Sequence, residues 1–182
     1  MTNELLSTLI KAAIPAVGIA LMLFAAKRNR LSLAGDLGFQ TPKVSLSVLF
    51  VLLWIMLIAI EEWLTSSIAD TRPKSWADYS AVIVAIRVLA IGILGPIAEE
   101  TAFRGLLMSF LNRTRLRIYG AIFVSAALWS CMHFQYSPVL LALIFVDGVV
   151  LGIARHITRS IYVPIAMHIM GNLFSIYQSL SY

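Results

Sequence analysis

Residues 79–111 read YSAVIVAIRVLAIGILGPIAEETAFRGLLMSFL. About 20 apolar residues, rising about 1.5 Å each, cross a bilayer's hydrocarbon core, so this run is too long for one straight span. Gly95-Pro96 sits inside it. Proline removes a helix hydrogen bond and clashes with the turn before it, so the stretch predicts a broken helix that restarts at Ile97. The same run carries Arg87, Glu99, Glu100 and Arg104. An ionised side chain at mid-bilayer costs at least about 2.5–3.5 kcal/mol, and each of these four therefore needs a reason to be there.

Five further apolar segments flank this one, at residues 5–26, 44–64, 118–134, 138–154 and 161–180. The whole chain of 182 residues is 60% hydrophobic and 13% charged, with a mean hydropathy of +0.88. About half apolar is normal for a soluble domain; the excess here has to face lipid. The first segment is too long for a signal-peptide core and lacks a small-residue cleavage site, so it is expected to be a retained span. The expected fold is all-α, a polytopic transmembrane bundle of six to seven helices with a Pro-broken third segment. The chain forms a single membrane domain, residues 1–182. Its motif-bearing core covers about 80–178, and residues 1–78 contribute two accessory spans and a polar loop.

The connections are short. Residues 28–43 hold the turn signals Gly35-Asp36 and Thr41-Pro42, and residues 65–78 carry Ser66, Ser67, Asp70, Pro73 and Asp78. The formal charge is +5, and most of the basic residues fall in loops between apolar runs, with no basic, aromatic-interleaved face that would hold nucleic acid. Counting the third segment as one crossing, alternate loops hold Lys27, Arg28, Arg30 and Lys43, then Arg113, Arg115 and Arg117, then Arg155 and Arg159. The opposite loops hold Arg72 and Lys74. The positive-inside tendency places the first set in the cytoplasm and the N-terminus outside. Cys131 is the sole cysteine, so no internal disulfide forms and no cysteine-based zinc site is expected.

The polar residues singled out within the apolar runs are Arg87, Glu99, Glu100, Arg104, His133, Asp147, His168 and Asn172. On a helix, Glu100 and Arg104 share a face and can pair. Glu99 points about 100° away and lacks that partner. One acid is thus held ionised while the other is free to be tuned, which suits a general base. An Arg–Glu pair that only stitches helices together is the plainer alternative, but it leaves Glu99 unexplained. His133 ends the run that contains Trp129; alone it reads as a helix–helix hydrogen-bonding group. His168 and Asn172 project from one face with Gly171 between them, a residue small enough to admit another helix or a substrate backbone. Asp147 is expected to pair with Arg87 or to touch substrate, pairing being the favoured reading. Together the set suits water-mediated hydrolysis: a carboxylate takes a proton from water, a histidine orients it, and N–H groups stabilise the oxyanion.

The motifs Glu99-Glu100-x-x-x-Arg104, Trp129-x-x-x-His133 and His168-x-x-x-Asn172 resemble, in order and spacing, those of the CAAX protease and bacteriocin-processing (Abi) family of glutamic-type intramembrane proteases. That family includes the type II CAAX prenyl endopeptidases. The resemblance covers residues 80–178. It implies that Glu99 activates water with help from His133, that His168 and Asn172 form the oxyanion site, and that Glu100 and Arg104 support the geometry. Trp129 stands where the family usually has phenylalanine, and an aromatic wall is kept. A metal-dependent version would use Glu99, His133 and His168, but no HExxH is present and Arg104 opposes a cation, so no cofactor is expected. No Gly-x-Ser-x or second intramembrane aspartate supports a serine or aspartyl intramembrane protease.

The expected function is therefore hydrolysis of a peptide bond in a membrane-embedded or lipid-linked peptide or protein. A non-enzymatic immunity or partner-binding membrane protein of the same fold, and a proton-coupled transporter, are the alternatives; the chain is short and has no inverted repeat, which tells against transport. The expected partners are the lipid bilayer and a membrane-associated substrate, with no nucleic acid, and the expected location is a bacterial cell (inner) membrane. Prenylated CAAX tails, peptide pheromones, bacteriocins and membrane-anchored sorting signals are all open as substrates.

Overall fold

The computed structural model describes residues 3–66, 68 and 75–181. Among them run six continuous helices: α1 (Asn3–Arg28), α2 (Val44–Thr65), α3 (Ala81–Asn112), α4 (Arg117–Cys131), α5 (Pro138–Thr158) and α6 (Tyr162–Ser181). Each coincides with one of the apolar runs to within a few residues. Helices α1, α2, α3 and α5 are long and apolar enough to cross a membrane. Helix α4 is shorter, and α6 carries the His168–Asn172 polar face. The sequence reading of Ser67, Asp70, Arg72, Pro73 and Lys74 falls outside the described residues.

Helix α3 is the axis of the bundle, touching α1, α4, α5 and α6, while α2 packs on α5 and α6. At 32 residues it is about 48 Å long, more than the hydrocarbon core, so it must tilt or protrude. It is interrupted where the proline predicts, but it does not stop. The ladder changes register instead: Val88–Leu94 is π-helical, and the Gly95 N–H donates to the carbonyl of Ala90, five residues back. Pro96 then opens an α-helical stretch, Gly95–Glu100, as a first-turn residue that has no N–H to satisfy. A second π-helical stretch, Thr101–Leu107, follows directly. Such turns mark functional positions in many helices, and here they bracket the two glutamates.

The first register change leaves an orphan. The Ile91 carbonyl loses the Gly95 N–H to Ala90, and the next residue along, Pro96, has no N–H to give. The side-chain amide of Asn172 on α6 donates to it at 2.8 Å. A buried carbonyl left unpaired costs about 1–3 kcal/mol, so this bond locks α6 to α3 at one level.

The apolar core lies beside these polar contacts, with Phe50 and Trp54 from α2, Phe103 from α3, Trp129 from α4, Leu151 and Ala154 from α5, and Val163 and Met167 from α6. Helices α4 and α5 approach closely because Gly148 faces Ala126: a Cβ on Gly148 would lie 2.9 Å from the Ala126 methyl. Close backbone approach at small residues is how membrane helices gain packing contacts without a hydrophobic drive.

At one end the 29–43 loop is strapped across the bundle. Arg113 pairs with the Asp36 carboxylate, Arg155 and Ser109 donate to the Asp36 carbonyl, and Gln40 donates to the carbonyl of Arg159. The loop rich in Lys and Arg thus meets the basic ends of α3 and α5, and the three basic connections share one end, as a single crossing by α3 requires. Asp36 itself titrates below the ordinary aspartate value of 3.8, first because the Ser32 backbone N–H donates to it and then because Arg113 lies alongside.

Candidate active site

Glu100 and Arg104 are both sealed from solvent and joined at 2.8 Å. The spacing of four residues on one helix puts the guanidinium over the carboxylate. Arg104 also donates to the Gly148 carbonyl on α5 at 3.1 Å, and its guanidinium lies 4.5 Å from the centre of the Trp129 ring. The same Glu100 oxygen, Oε1, lies 2.9 Å from His168 Nδ1. An arginine-paired carboxylate oxygen accepts, so the His168 proton sits on Nδ1. That choice directs Nε2 the other way, toward Glu99, whose Oε2 is 4.0 Å off.

Glu99 is built differently from its neighbour. Its side chain is 33% exposed, it makes no bond to Arg104, and its Oε2 accepts the Trp129 indole N–H at 2.6 Å. Oε1 has no hydrogen-bond partner among the described residues, and it faces the bare backbone at Gly95, where an added Cβ would come within 3.9 Å of it. Two adjacent acids thus occupy unlike settings, one sealed against Arg104 and His168 with its Oε2 buried and unpartnered, the other held through a single oxygen and partly exposed.

Trp129 organises the rest. His133 and His168 both pack edge-on against its ring, at 5.2 and 5.1 Å between ring centres. Helix α4 ends at Cys131, so His133 sits in the following turn. Its Nδ1 lies 2.9 Å from the Trp129 carbonyl; a carbonyl only accepts, so the proton is on Nδ1 and a neutral His133 presents a lone pair at Nε2. Tyr136 stacks on the outer face of that imidazole.

Of the six residues singled out in sequence, the structure brings Glu99, Glu100, Arg104 and His168 into one connected cluster and sets His133 against its aromatic wall. Asn172 is turned to the Ile91 carbonyl, with one amide hydrogen committed there. The indole N–H of Trp129 is the contact the sequence did not disclose: the ring is more than a wall, because it donates to Glu99. The substitution of tryptophan for the family's usual phenylalanine was the available signal. Trp54 is a second addition, its indole packed against Gly171 and its buried N–H unpartnered among the described residues.

The expected pairing of Asp147 with Arg87 is not what the structure holds. Asp147 faces Glu61 of α2 and lies near Arg104. Arg87 is on the far side of α3, where it donates to Thr8 Oγ1 of α1 at 3.3 Å and rests 3.9 Å from the centre of the Tyr79 ring. Arg87 reaches the α1 face near the beginning of α3, whereas Asp147 is midway along α5, so the two charges never share a face.

The residues named for a divalent metal do not converge on one point. Among the described residues no three His, Cys, Asp or Glu side chains form a ligating group. The Nδ1 atoms of both imidazoles are already committed, to Glu100 and to the Trp129 carbonyl.

A helical bundle with apolar spans and a buried acid–arginine–histidine cluster defines a multi-pass membrane protein with a polar site in its interior. The chain belongs to the type II CAAX prenyl endopeptidase Rce1-like family, whose pattern matches residues 81–174, just over half of the chain. It is also 32% identical over 107 residues to a protein of Escherichia coli described as an uncharacterized 24.3 kDa protein, an alignment covering 56% of this chain and 49% of that one. The chain therefore spans about half the length of the curated relative it matches. No solved structure matches it.

Proposed function

We propose that this protein is an intramembrane endopeptidase that hydrolyses a peptide bond in a membrane-embedded or lipid-linked substrate, with Glu99 as the base that activates water. The observation that carries the reading is the unequal environment of the two glutamates. Glu100 is sealed, its Oε1 held by Arg104 and His168 and its Oε2 buried without a partner, whereas Glu99 is 33% exposed and makes no bond to the arginine.

In the proposed reaction a water held between Glu99 and His168 Nε2 gives its proton to Glu99 as its oxygen attacks the scissile carbonyl carbon. The tetrahedral oxyanion is stabilised by N–H donors, the remaining amide hydrogen of Asn172 among them. The C–N bond then breaks, Glu99 returns the proton to the departing nitrogen, and a carboxylic acid and an amine result, the acid passing its proton to the amine once both reach water. His133 acts through Trp129, packing edge-on against the ring whose N–H holds Glu99. Trp129 fixes one Glu99 oxygen so that the other faces the substrate. The reaction uses no metal. The substrate arrives through the bilayer of a bacterial cell membrane, where soluble peptidases do not reach.

The test is cleavage of a lipid-linked reporter peptide by the purified protein in detergent. Glu99→Gln keeps the acceptor for Trp129 and removes the base, so a loss of about 10²–10⁴-fold is expected. A Glu99→Gln protein that cleaves at the wild-type rate would sink the assignment.

A further inference from the structure

We propose that the cavity at the basic end of the bundle is a binding site for a phosphate group, presented either by an anionic lipid headgroup or as free phosphate. The cavity measures about 440 Å³ and lies under the 29–43 loop, between the ends of α3 and α5. Four arginines line it, Arg104, Arg113, Arg155 and Arg159, together with His156 and a single acidic residue, Asp36.

That carboxylate is already used. One Asp36 oxygen takes Arg113 and the other accepts the Ser32 backbone N–H. Arg155 and Arg159 have no carboxylate partner among the described residues. Arg155 is only 9% exposed; its Nη2 donates to a backbone carbonyl, and its Nε is buried with no partner. Arg104, at 1% exposed, likewise has a buried, unpartnered Nε. Buried donors are nearly always satisfied, and here both lie on arginines lining one cavity.

The backbone is arranged around Arg155. Gly38 takes a φ of +84°, and any Cβ there would collide with the Arg155 guanidinium. The strap is thus bare where the cation needs room. Clustered guanidiniums match the several oxygens of a phosphate with paired N–H donors, better than a lysine would. The cavity sits at the end where the basic loops gather, and basic pockets between helices at that level receive anionic headgroups. Binding is read without any peptidase assay, so this inference and the proposed hydrolysis stand or fall separately.

The experiment uses the full chain in a neutral detergent and measures binding by native mass spectrometry with three probes: short-chain phosphatidylglycerol, diacylglycerol of the same chains, and inorganic phosphate. Saturable binding of phosphatidylglycerol but not diacylglycerol is expected, weakened about tenfold by Arg155→Gln and by Arg159→Gln and less by Arg155→Lys. Inorganic phosphate showing the same dependence identifies free phosphate as the ligand; binding confined to phosphatidylglycerol identifies the headgroup. Arg159 is exposed, so Arg159→Gln decides the matter should Arg155→Gln fail to fold. Wild-type affinity in the Gln variants, or no saturable binding of either phosphate probe, overturns the proposal.

Discussion

Replacing Arg104 by Met, Glu100 by Gln, and then both together probes the centre of the site. The pair is 2.8 Å apart with both side chains sealed. At an effective dielectric of about 20, a separation of about 4 Å is already worth roughly 4 kcal/mol. Arg104→Met leaves Glu100 buried with only His168 for company; Glu100→Gln leaves Arg104 buried with the Gly148 carbonyl. Removing one member of a buried pair costs about 3–5 kcal/mol, mostly through the stranded charge. The double replacement strands nothing and loses only the hydrogen bonds to His168 and Gly148, about 1–3 kcal/mol. The two single effects together therefore exceed the double by a coupling of roughly 3–9 kcal/mol. Titrating the purified protein with SDS in mixed micelles, and following tryptophan fluorescence, measures all three. Effects that add to within about 0.5 kcal/mol would show that the two charges do not meet in a dry interior, and the locked role assigned to Glu100 would fail with them.

Trp129→Phe keeps the aromatic wall but removes the N–H that holds Glu99; a bond to a charged group is worth about 1.5–3 kcal/mol. Reporter cleavage should fall about ten- to a hundredfold with the fold intact by circular dichroism, and unchanged cleavage would refute a positioning role. Asn172→Ala strands the Ile91 carbonyl and should lower unfolding stability by about 1–3 kcal/mol in the same SDS titration, whereas an unaltered midpoint would mean the register change in α3 is satisfied some other way. The Asp36 carboxyl titrates below its ordinary value, so its contribution is present above pH 3.8 and is lost as pH falls through the lower, folded value. Amide exchange of Ser32, whose N–H the carboxylate accepts, should accelerate only in that acid range, beyond the intrinsic change of exchange with pH; acceleration setting in above pH 3.8 would contradict the assignment.

The helices were legible because lipid leaves few choices: an apolar run long enough to cross must be helical to satisfy its own backbone. Val44 and Pro138 begin helices where the hydropathy begins. The Glu100–Arg104 pair was legible because four-residue spacing fixes a shared face, and the unlike fate of Glu99 follows from the same geometry. His168 meeting both glutamates was legible only as a resemblance, since nothing in the spacing of α3 and α6 says how they dock. The fate of Pro96 was half legible. A proline disturbs the ladder, but whether the helix breaks or shifts to π turns depends on a partner for the stranded carbonyl, and that partner, Asn172, lies far along the chain.

The misplaced Asp147 shows why charge inventories fall short inside a membrane. Counting ionisable groups makes Arg87 the obvious spare cation for Asp147, because Arg104 already has Glu100. Position overrides the count. Arg87 lies nearly two turns into α3 and reaches Thr8 and the Tyr79 ring, where a buried cation over an aromatic face is held without a carboxylate. Asp147 is next to Gly148, the residue whose missing side chain lets α4 close on α5 and whose carbonyl takes the Arg104 guanidinium. The contact that lets α5 pack therefore also carries Asp147 toward Arg104 and Glu61. Arg104 consequently serves Glu100, the Trp129 ring, the Gly148 carbonyl and Asp147, on three helices, and the acid side of the site extends through it to α2, a helix the motifs do not include. Residues 44–65 are thus part of the candidate site's electrostatics, and a fragment limited to the matched residues 81–174 would lose Glu61 and the Trp54 indole that packs on Gly171.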